Sequence, residues 1–288
     1  APNFQFPLIN SRHGKSTEQI GLILPTSLCA GQIGQMAARR LNHSKMGEKY
    51  GISRFVALAH TEGCGVSSSP ERLYPRTMLG YLMHPMVGQA LFLEHGCEVT
   101  HNDFMAEELK KNGLSLSDYG WASIQLDGGI EKVLNKVEDW FAKNLAEQAK
   151  THAATGSLAD LRVALTASGA VKPEAAEALA QVAQWIVGAG GTVLVPENSD
   201  LLKAEDFAAT LGLRTVEPTL AYAQPFKQAG FHIMQTPTKH WVETLVGTAA
   251  CGVEAIVSYV GHQPMPGNPL VPMVQLSAEE TVRSKFAD

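Results

Sequence analysis

The chain has 288 residues, of which 45% are apolar, and its formal net charge at pH 7 is -5. It has no cluster of Lys and Arg and no apolar run near the roughly 20 residues that cross a bilayer, which argues against nucleic-acid and membrane partners. Four cysteines in so long a chain do not make a disulfide framework. We therefore expect a soluble, cytoplasmic protein whose cysteines serve thiolate or metal chemistry.

The first half of the chain alternates short apolar runs with amphipathic segments, after an extended lead-in over residues 1–20. The predicted strands cover 20–24, 54–59, 90–93 and 121–126, and the predicted helices cover 30–41, 73–83, 105–112 and 130–145. Apolar residues recur at helical spacing from Ile130 to Phe141, which predicts core packing for that helix.

The second half repeats the same alternation after a small, polar and unpatterned segment at 146–160, the predicted domain boundary. The predicted strands cover 162–166, 192–195, 231–235, 255–260 and 271–276, and the predicted helices cover 173–187, 204–211 and 241–250. Strands that alternate with helices of this length imply parallel sheets with helical crossovers. The sequence therefore predicts two Rossmann-like α/β lobes, residues 1–150 and 151–288, with largely parallel sheets.

Three predicted strands of the first lobe end in polar residues that do not belong in an apolar core. These residues are Cys29, then His60, Glu62 and Cys64, then Cys97, Glu98, His101 and Asn102. Consecutive parallel strands place their carboxyl ends at the same edge of a sheet, where ligands bind. We therefore expect the loops 60–65 and 94–103 to come together at one edge of the first lobe.

The residue types at these strand ends favour metal chemistry. Thiolate, imidazole and carboxylate ligands together suit zinc or iron better than magnesium or calcium. The predicted metal ligands are Cys29, His60, Cys64, Cys97 and Glu98. The predicted catalytic residues are His60, Cys64, Cys97 and Glu98, with Glu62, His101 and Asn102 binding substrate.

Several of these residues have a second interpretation. A Cys–His pair could act as nucleophile and base, because the two need only be adjacent in space. Cys29 fits equally well as a small buried residue at a helix start, and His84 and His95 fit as histidines that satisfy a core hydrogen bond.

The predicted strand ends of the second lobe are also polar, at Glu197, Asp200, Thr236, Thr238, His262 and Asn268. We expect them to face the first lobe across a cleft, with Thr236, His262 and Asn268 binding substrate there. Glu197 and Asp200 fit equally well as solvated loop residues.

Four segments carry a resemblance to a known family. They are Leu24-Pro-Thr-Ser-Leu-Cys29, His60-Thr-Glu-Gly-Cys-Gly65, Gly96-Cys-Glu98 and the stretch from Gly267 to Ser277. Together they resemble the catalytic region of the altronate and galactarate dehydratase family. The second half departs from the family pattern, since Gly261-His262-Gln stands where Gly-Arg-Gly is more usual.

The resemblance implies a hydro-lyase that dehydrates a sugar acid and depends on iron or another divalent metal, with manganese or zinc as the other choices. It also implies a small N-terminal substrate-binding domain, which we expect on another chain or in a missing part of a longer protein. A homodimer is the expected assembly. Two other functions stay open: a diverged, non-catalytic module that binds a sugar acid or a partner subunit, and Cys-dependent hydrolysis.

Overall fold

The computed structural model describes residues 4–63, 73–147 and 153–286. The strands are β1 (Phe6–Ser11), β2 (Gly14–Ser16), β3 (Ile20–Pro25), β4 (Arg54–Ala57), β5 (Val87–Glu94), β6 (Gly120–Ser123), β7 (Ala153–Gly156), β8 (Arg162–Ser168), β9 (Thr192–Pro196), β10 (Gly230–Met234), β11 (Ala255–Val260) and β12 (Met273–Leu276). The helices are α1 (Leu28–His43), α2 (Leu73–Leu82), α3 (Asn102–Lys111), α4 (Ile130–Glu147), α5 (Pro173–Gly188), α6 (Glu205–Leu211), α7 (Trp241–Ala250) and α8 (Glu280–Phe286).

The chain divides into two compact units, which we call the first and second lobes. The first lobe is Ile9–Ala153, and the second is Ala1–Leu8 together with Ala154–Asp288. None of the helices in the described parts of the chain is long and apolar enough to cross a membrane.

The first lobe is built on a parallel sheet with the strand order β4-β3-β5-β6. Every residue of β3 is buried, as expected for a central strand of a parallel sheet with both faces covered. From β3 the chain adds β4 on one side and then β5 on the other, so the strand order reverses between β3 and β5. In open α/β sheets this switch point is where ligands bind, beyond the carboxyl ends of the strands.

Two helices of the first lobe pack their apolar sides into one core. Val137 and Phe141 of α4 are buried in the same cluster as Ala37 and Leu41 of α1. The helical spacing therefore predicted this packing correctly for most of α4. Ile130 is a correction, because it begins the helix, one turn before the packed segment, and is 45% exposed.

The second lobe is built on a five-stranded parallel sheet with the order β10-β9-β8-β11-β12. This is the doubly wound order in which the first strand is central and the direction of chain progression reverses beside it. The switch point of this sheet lies between β8 and β11. The predicted α/β class, with two Rossmann-like lobes and largely parallel sheets, is confirmed.

The lead-in over residues 1–20 is a further correction, because it contains regular structure. β1 and β2 form an antiparallel hairpin in which Ile9 is paired with Ser16 and Ser11 with Gly14. The hairpin joins β7 in a small sheet of order β2-β1-β7. Only Leu8 is buried in β1, so the strand lacks the apolar alternation by which a pattern analysis would find it.

Candidate functional site

The ends of β3, β4 and β5 meet at one edge of the first lobe. The ring nitrogen Nε2 of His60 donates to the carbonyl of Pro25 at 2.8 Å, and Leu28 N–H donates to the Glu62 carbonyl at 2.9 Å. Val99 N–H donates to the Gly63 carbonyl at 3.0 Å. The described parts of the two predicted loops, 60–63 and 94–103, therefore come together at the switch point, as expected.

Gly63 is required where these loops cross. Its φ is +97°, and a Cβ built on it would lie 2.5 Å from the Thr26 carbonyl oxygen and 2.6 Å from Oγ1 of Thr100. Thr100 in turn donates from Oγ1 to the same Thr26 carbonyl at 2.7 Å. Only a residue without a side chain allows the end of β3 and the two loops to approach so closely.

The carboxylate of Glu98 organises the loop after β5. Oε1 accepts from the Thr26 hydroxyl at 2.7 Å, the Ser27 hydroxyl at 3.0 Å and His95 N–H at 2.8 Å. Oε2 accepts from Gly96 N–H at 2.7 Å and Cys97 N–H at 3.0 Å. Burial alone would raise the pKa of Glu98, but its backbone and side-chain hydrogen-bond donors outweigh burial and lower the pKa to about 2. Glu98 is therefore a buried acceptor, ionised at neutral pH, that joins the ends of β3 and β5.

Cys97 and His95 form a polar pair on this loop. Cys97 is exposed, and its Sγ lies 3.3 Å from Nδ1 of His95. Between them Gly96 has a φ of +117°, and its Cα approaches Gln125 so closely that a Cβ would lie 3.0 Å from Oε1 of that residue. Ligand atoms of His95, Cys97 and Glu98 all lie within 4.8 Å of one another, a grouping that could hold a metal ion.

His60 has both ring nitrogens engaged. Nε2 donates to Pro25, and Nδ1 accepts from the backbone N–H of Glu62 at 3.1 Å. The ring also meets Tyr74 edge-on at 5.5 Å between centroids. Burial lowers the pKa of His60 below its usual value. The structure thus gives His60 a neutral imidazole that fastens the β4 loop to the end of β3, and either predicted role, base or metal ligand, would cost it a hydrogen bond.

Glu94, His101 and Asn102 meet at the start of α3. Asn102 N–H donates to Oε2 of the buried Glu94 at 2.5 Å, and the Asn102 side-chain amide donates to the Ala122 carbonyl at 3.0 Å. His101 is the N-cap residue, and its Nδ1 accepts from Phe104 N–H at 3.4 Å. Asn102 therefore ties α3 to β5 and β6, whereas Nε2 of His101 is the ring nitrogen not used by the cap.

The remaining predicted residues of the first lobe fall in different places. Cys29 lies in the first turn of α1 and is exposed, as is Glu62 in the β4 loop. Cys64 lies outside the described residues.

In the second lobe three of the predicted residues, Glu197, Thr236 and Asp200, connect neighbouring strand ends. Glu197 accepts from Thr236 N–H at 3.1 Å, which joins the ends of β9 and β10. Asp200 accepts from Gly169 N–H at 2.7 Å and so joins the segment after β9 to the end of β8. Asn268 accepts from Leu270 N–H at 2.8 Å and thereby shapes its own turn.

His262 follows β11 and is exposed, beside Gly169 at the switch point of the second sheet. Thr238 Oγ1 donates to Glu243. Substrate binding by Thr236, His262 and Asn268 stays a prediction.

The sequence interpretation missed three side chains that matter for the geometry of the site. Thr26 and Ser27 supply the hydroxyls to Glu98, and His95 pairs with Cys97. Two hydroxyl residues directly after a buried strand were a signal for the first two. The signal for His95 was its position two residues before Cys97 on one loop.

The fold and the strand-end loops define the class of the first lobe: a doubly wound α/β domain with a polar site at its switch point. Residues 16–150 match the family described as D-galactarate dehydratase/altronate hydrolase, second domain. The match contains three of the four segments that carry the resemblance, which is thereby confirmed for residues 16–150. The match falls within the first lobe, and no curated protein matches the chain significantly.

Proposed function

We propose that this protein is a hydro-lyase that removes water from a polyhydroxy carboxylic acid of the altronate or galactarate type. The family match of the first lobe supports a dehydratase-type activity. The observation that carries the proposal is the exposed Cys97–His95 pair at the switch point, on a loop held by Glu98. That is where an α/β domain binds a small ligand.

Dehydration of such an acid requires two proton movements. A base removes the proton from the carbon next to the carboxylate, and an acid assists the departing hydroxide. Cys97 and His95 can share a proton across their 3.3 Å contact, and Nε2 of His101 is a further nitrogen at the same edge. We assign proton transfer to Nε2 of His101, since Cys97 is also a candidate metal ligand, and to Glu98 and His60 the task of holding the loops, since their polar atoms are already engaged.

The donor set at this edge fits the divalent metal that the resemblance implies. Cys97 and Cys29 are exposed thiols on the loop after β5 and on the first turn of α1. Thiolate ligands favour iron or zinc over manganese. When bound, such an ion would act as a Lewis acid on the leaving hydroxyl group. We propose that Cys29, Cys97 and the predicted Cys64 hold it.

Steady-state assays with ferrous iron test this function against altronate and galactarate, with and without an added small N-terminal-type domain. We expect turnover of one of the two acids and a loss of about 100-fold or more in kcat/KM for Cys97→Ser. His43→Ala is the matched control, because His43 is an exposed histidine in the last turn of α1. Failure to turn over either acid under both conditions would count against the hydro-lyase.

A diverged binding module is the second candidate, because the family match ends at residue 150 and leaves the whole second lobe outside it. In that case the chain would bind the sugar acid, or a partner subunit, without chemistry. Calorimetry of the purified chain with galactarate distinguishes the two: heat of binding without product formation favours the module.

We also propose a homodimer, which sedimentation of the same sample tests.

A further inference from the structure

The spacing of the His95–Cys97 pair is close to that of two ligands on one metal ion. A zinc-like ion binds nitrogen at about 2.0–2.1 Å and sulfur at about 2.3 Å, so in a tetrahedral site the two atoms lie roughly 3.6 Å apart. The observed distance from Nδ1 to Sγ is 3.3 Å. A shift of a few tenths of an ångström would therefore let an ion replace the shared proton.

The backbone between the two residues is already fixed. His95 N–H, Gly96 N–H and Cys97 N–H all donate to the one carboxylate of Glu98, at 2.8, 2.7 and 3.0 Å. Outer carboxylates that orient ligand residues in this way commonly raise metal affinity. The pair is thus held in place before an ion arrives.

Glu98 itself has no capacity left for an ion, although it lies within the same 4.8 Å grouping. A carboxylate offers about four lone-pair sites. Those of Glu98 receive two hydroxyls and three backbone N–H groups. Glu98 therefore supports the ligands from outside.

The other histidines of this edge are less suited to the role. His60 uses both ring nitrogens, and His101 uses Nδ1 as a helix cap. Of the described histidines at this edge, His95 is the one whose ring nitrogen faces a thiol.

We propose that His95 Nδ1 and Cys97 Sγ are paired ligands of a thiophilic divalent cation, with Glu98 as their outer support. The inference rests on the proposed function, because it adds His95 to the ligands proposed for that site and keeps Glu98 outside them. On binding, the thiol releases its proton to solvent, and the imidazole binds in its neutral form with the proton on Nε2. The positions left on the ion are open to Cys29, water or substrate.

Titration of the purified full chain with Co²⁺, under anaerobic and reducing conditions, tests the ligands without any need for turnover. We expect wild-type protein to develop thiolate-to-cobalt charge-transfer absorption, which should be clearly weaker in Cys97→Ser. His95→Ala should weaken Co²⁺ binding at least tenfold, because even residues that only support metal ligands from outside change metal affinity about 10- to 100-fold when they are replaced. His43→Ala should bind as wild type does.

His95→Gln serves as a second variant if His95→Ala folds poorly, since it keeps a polar side chain but is a poor ligand for a soft ion. Unchanged cobalt affinity in both His95 variants would overturn the proposal, as would an unchanged absorption band in Cys97→Ser. The cobalt titration and the activity assay can give different answers. If cobalt binding depends on His95 but the protein does not turn over either acid, the metal-ligand proposal holds and the hydro-lyase proposal fails. If the protein is active but His95→Ala binds cobalt as tightly as wild type, only the metal-ligand proposal fails.

Discussion

The hydroxyl of Thr26 donates to Oε1 of Glu98 at 2.7 Å, although the two residues are 72 positions apart in the chain. This bond places a carboxylate from the loop after β5 directly against the end of β3. The two strands that flank the switch point are thus joined by one ionised group, and the position of Cys97 depends on it.

Glu98→Ala should lower the free energy of unfolding by about 3 kcal/mol, because buried donors would lose their acceptor. Two of these donors are the hydroxyls of Thr26 and Ser27, and three are backbone N–H groups. Urea unfolding followed by circular dichroism measures the change. Glu62→Ala, at an exposed glutamate nearby, should change stability by less than about 0.5 kcal/mol. Equal effects of the two substitutions would contradict the role given to Glu98.

The pH dependence of stability should carry the signature of the same carboxylate. The pKa of Glu98 is lowered from 4.5 to about 2 in the folded protein. A lowered folded pKa means that the stabilisation is fully present above pH 4.5 and is lost as the pH falls towards 2. The difference in stability between wild type and Glu98→Gln should therefore shrink between pH 5 and pH 2.5. A difference that stays constant over this range would show that these hydrogen bonds do not lower the pKa of Glu98.

Local sequence patterns were sufficient to place most of the secondary structure. The strand predicted at 255–260 and the helix predicted at 241–250 are observed at Ala255–Val260 and Trp241–Ala250. Buried strands and amphipathic helices are marked by the spacing of apolar residues within their own sequence, so a local pattern is enough to predict them. The β1–β2 hairpin has little burial of its own and was missed for that reason.

The candidate site could be predicted only in part from the sequence, for a physical reason. Strand ends can be located from sequence, so the edge and most of its residues were predicted. The partners of those residues could not be, because they come from distant parts of the chain. Glu98 was predicted as a catalytic residue and a metal ligand, but Ser27, 71 positions away, helps to saturate it. His60 is held in the same way by Pro25, 35 positions away.

His60 should make stability fall on mild acidification. Burial lowers its pKa from 6.5, against smaller raising effects of the Pro25 hydrogen bond and Glu62. Because the folded pKa is lowered, the stabilisation is present above pH 6.5 and is lost as the pH falls through the folded pKa. Wild type should therefore lose more stability than His60→Gln between pH 7.5 and pH 5, as measured by thermal unfolding. If the two proteins respond identically, the His60 imidazole is not held neutral in the folded state.

Gly63→Ala should be far more damaging than the same change at a glycine with similar backbone geometry but open surroundings. Gly63 has a φ of +97°, and an added Cβ would lie 2.5 Å from the Thr26 carbonyl oxygen, whereas Gly113 has a φ of +71° and no atom within 4 Å of the added Cβ. Gly113→Ala should cost about 1 kcal/mol of stability, from the positive φ alone. Gly63→Ala should cost that amount and, in addition, displace the β4 loop, for a total above about 3 kcal/mol. Urea unfolding of both variants measures the comparison, and amide hydrogen exchange at Val99, whose N–H bonds the Gly63 carbonyl, reports the displacement. Equal costs, with Val99 still protected in Gly63→Ala, would mean that the β4 loop does not pack against the end of β3 as described.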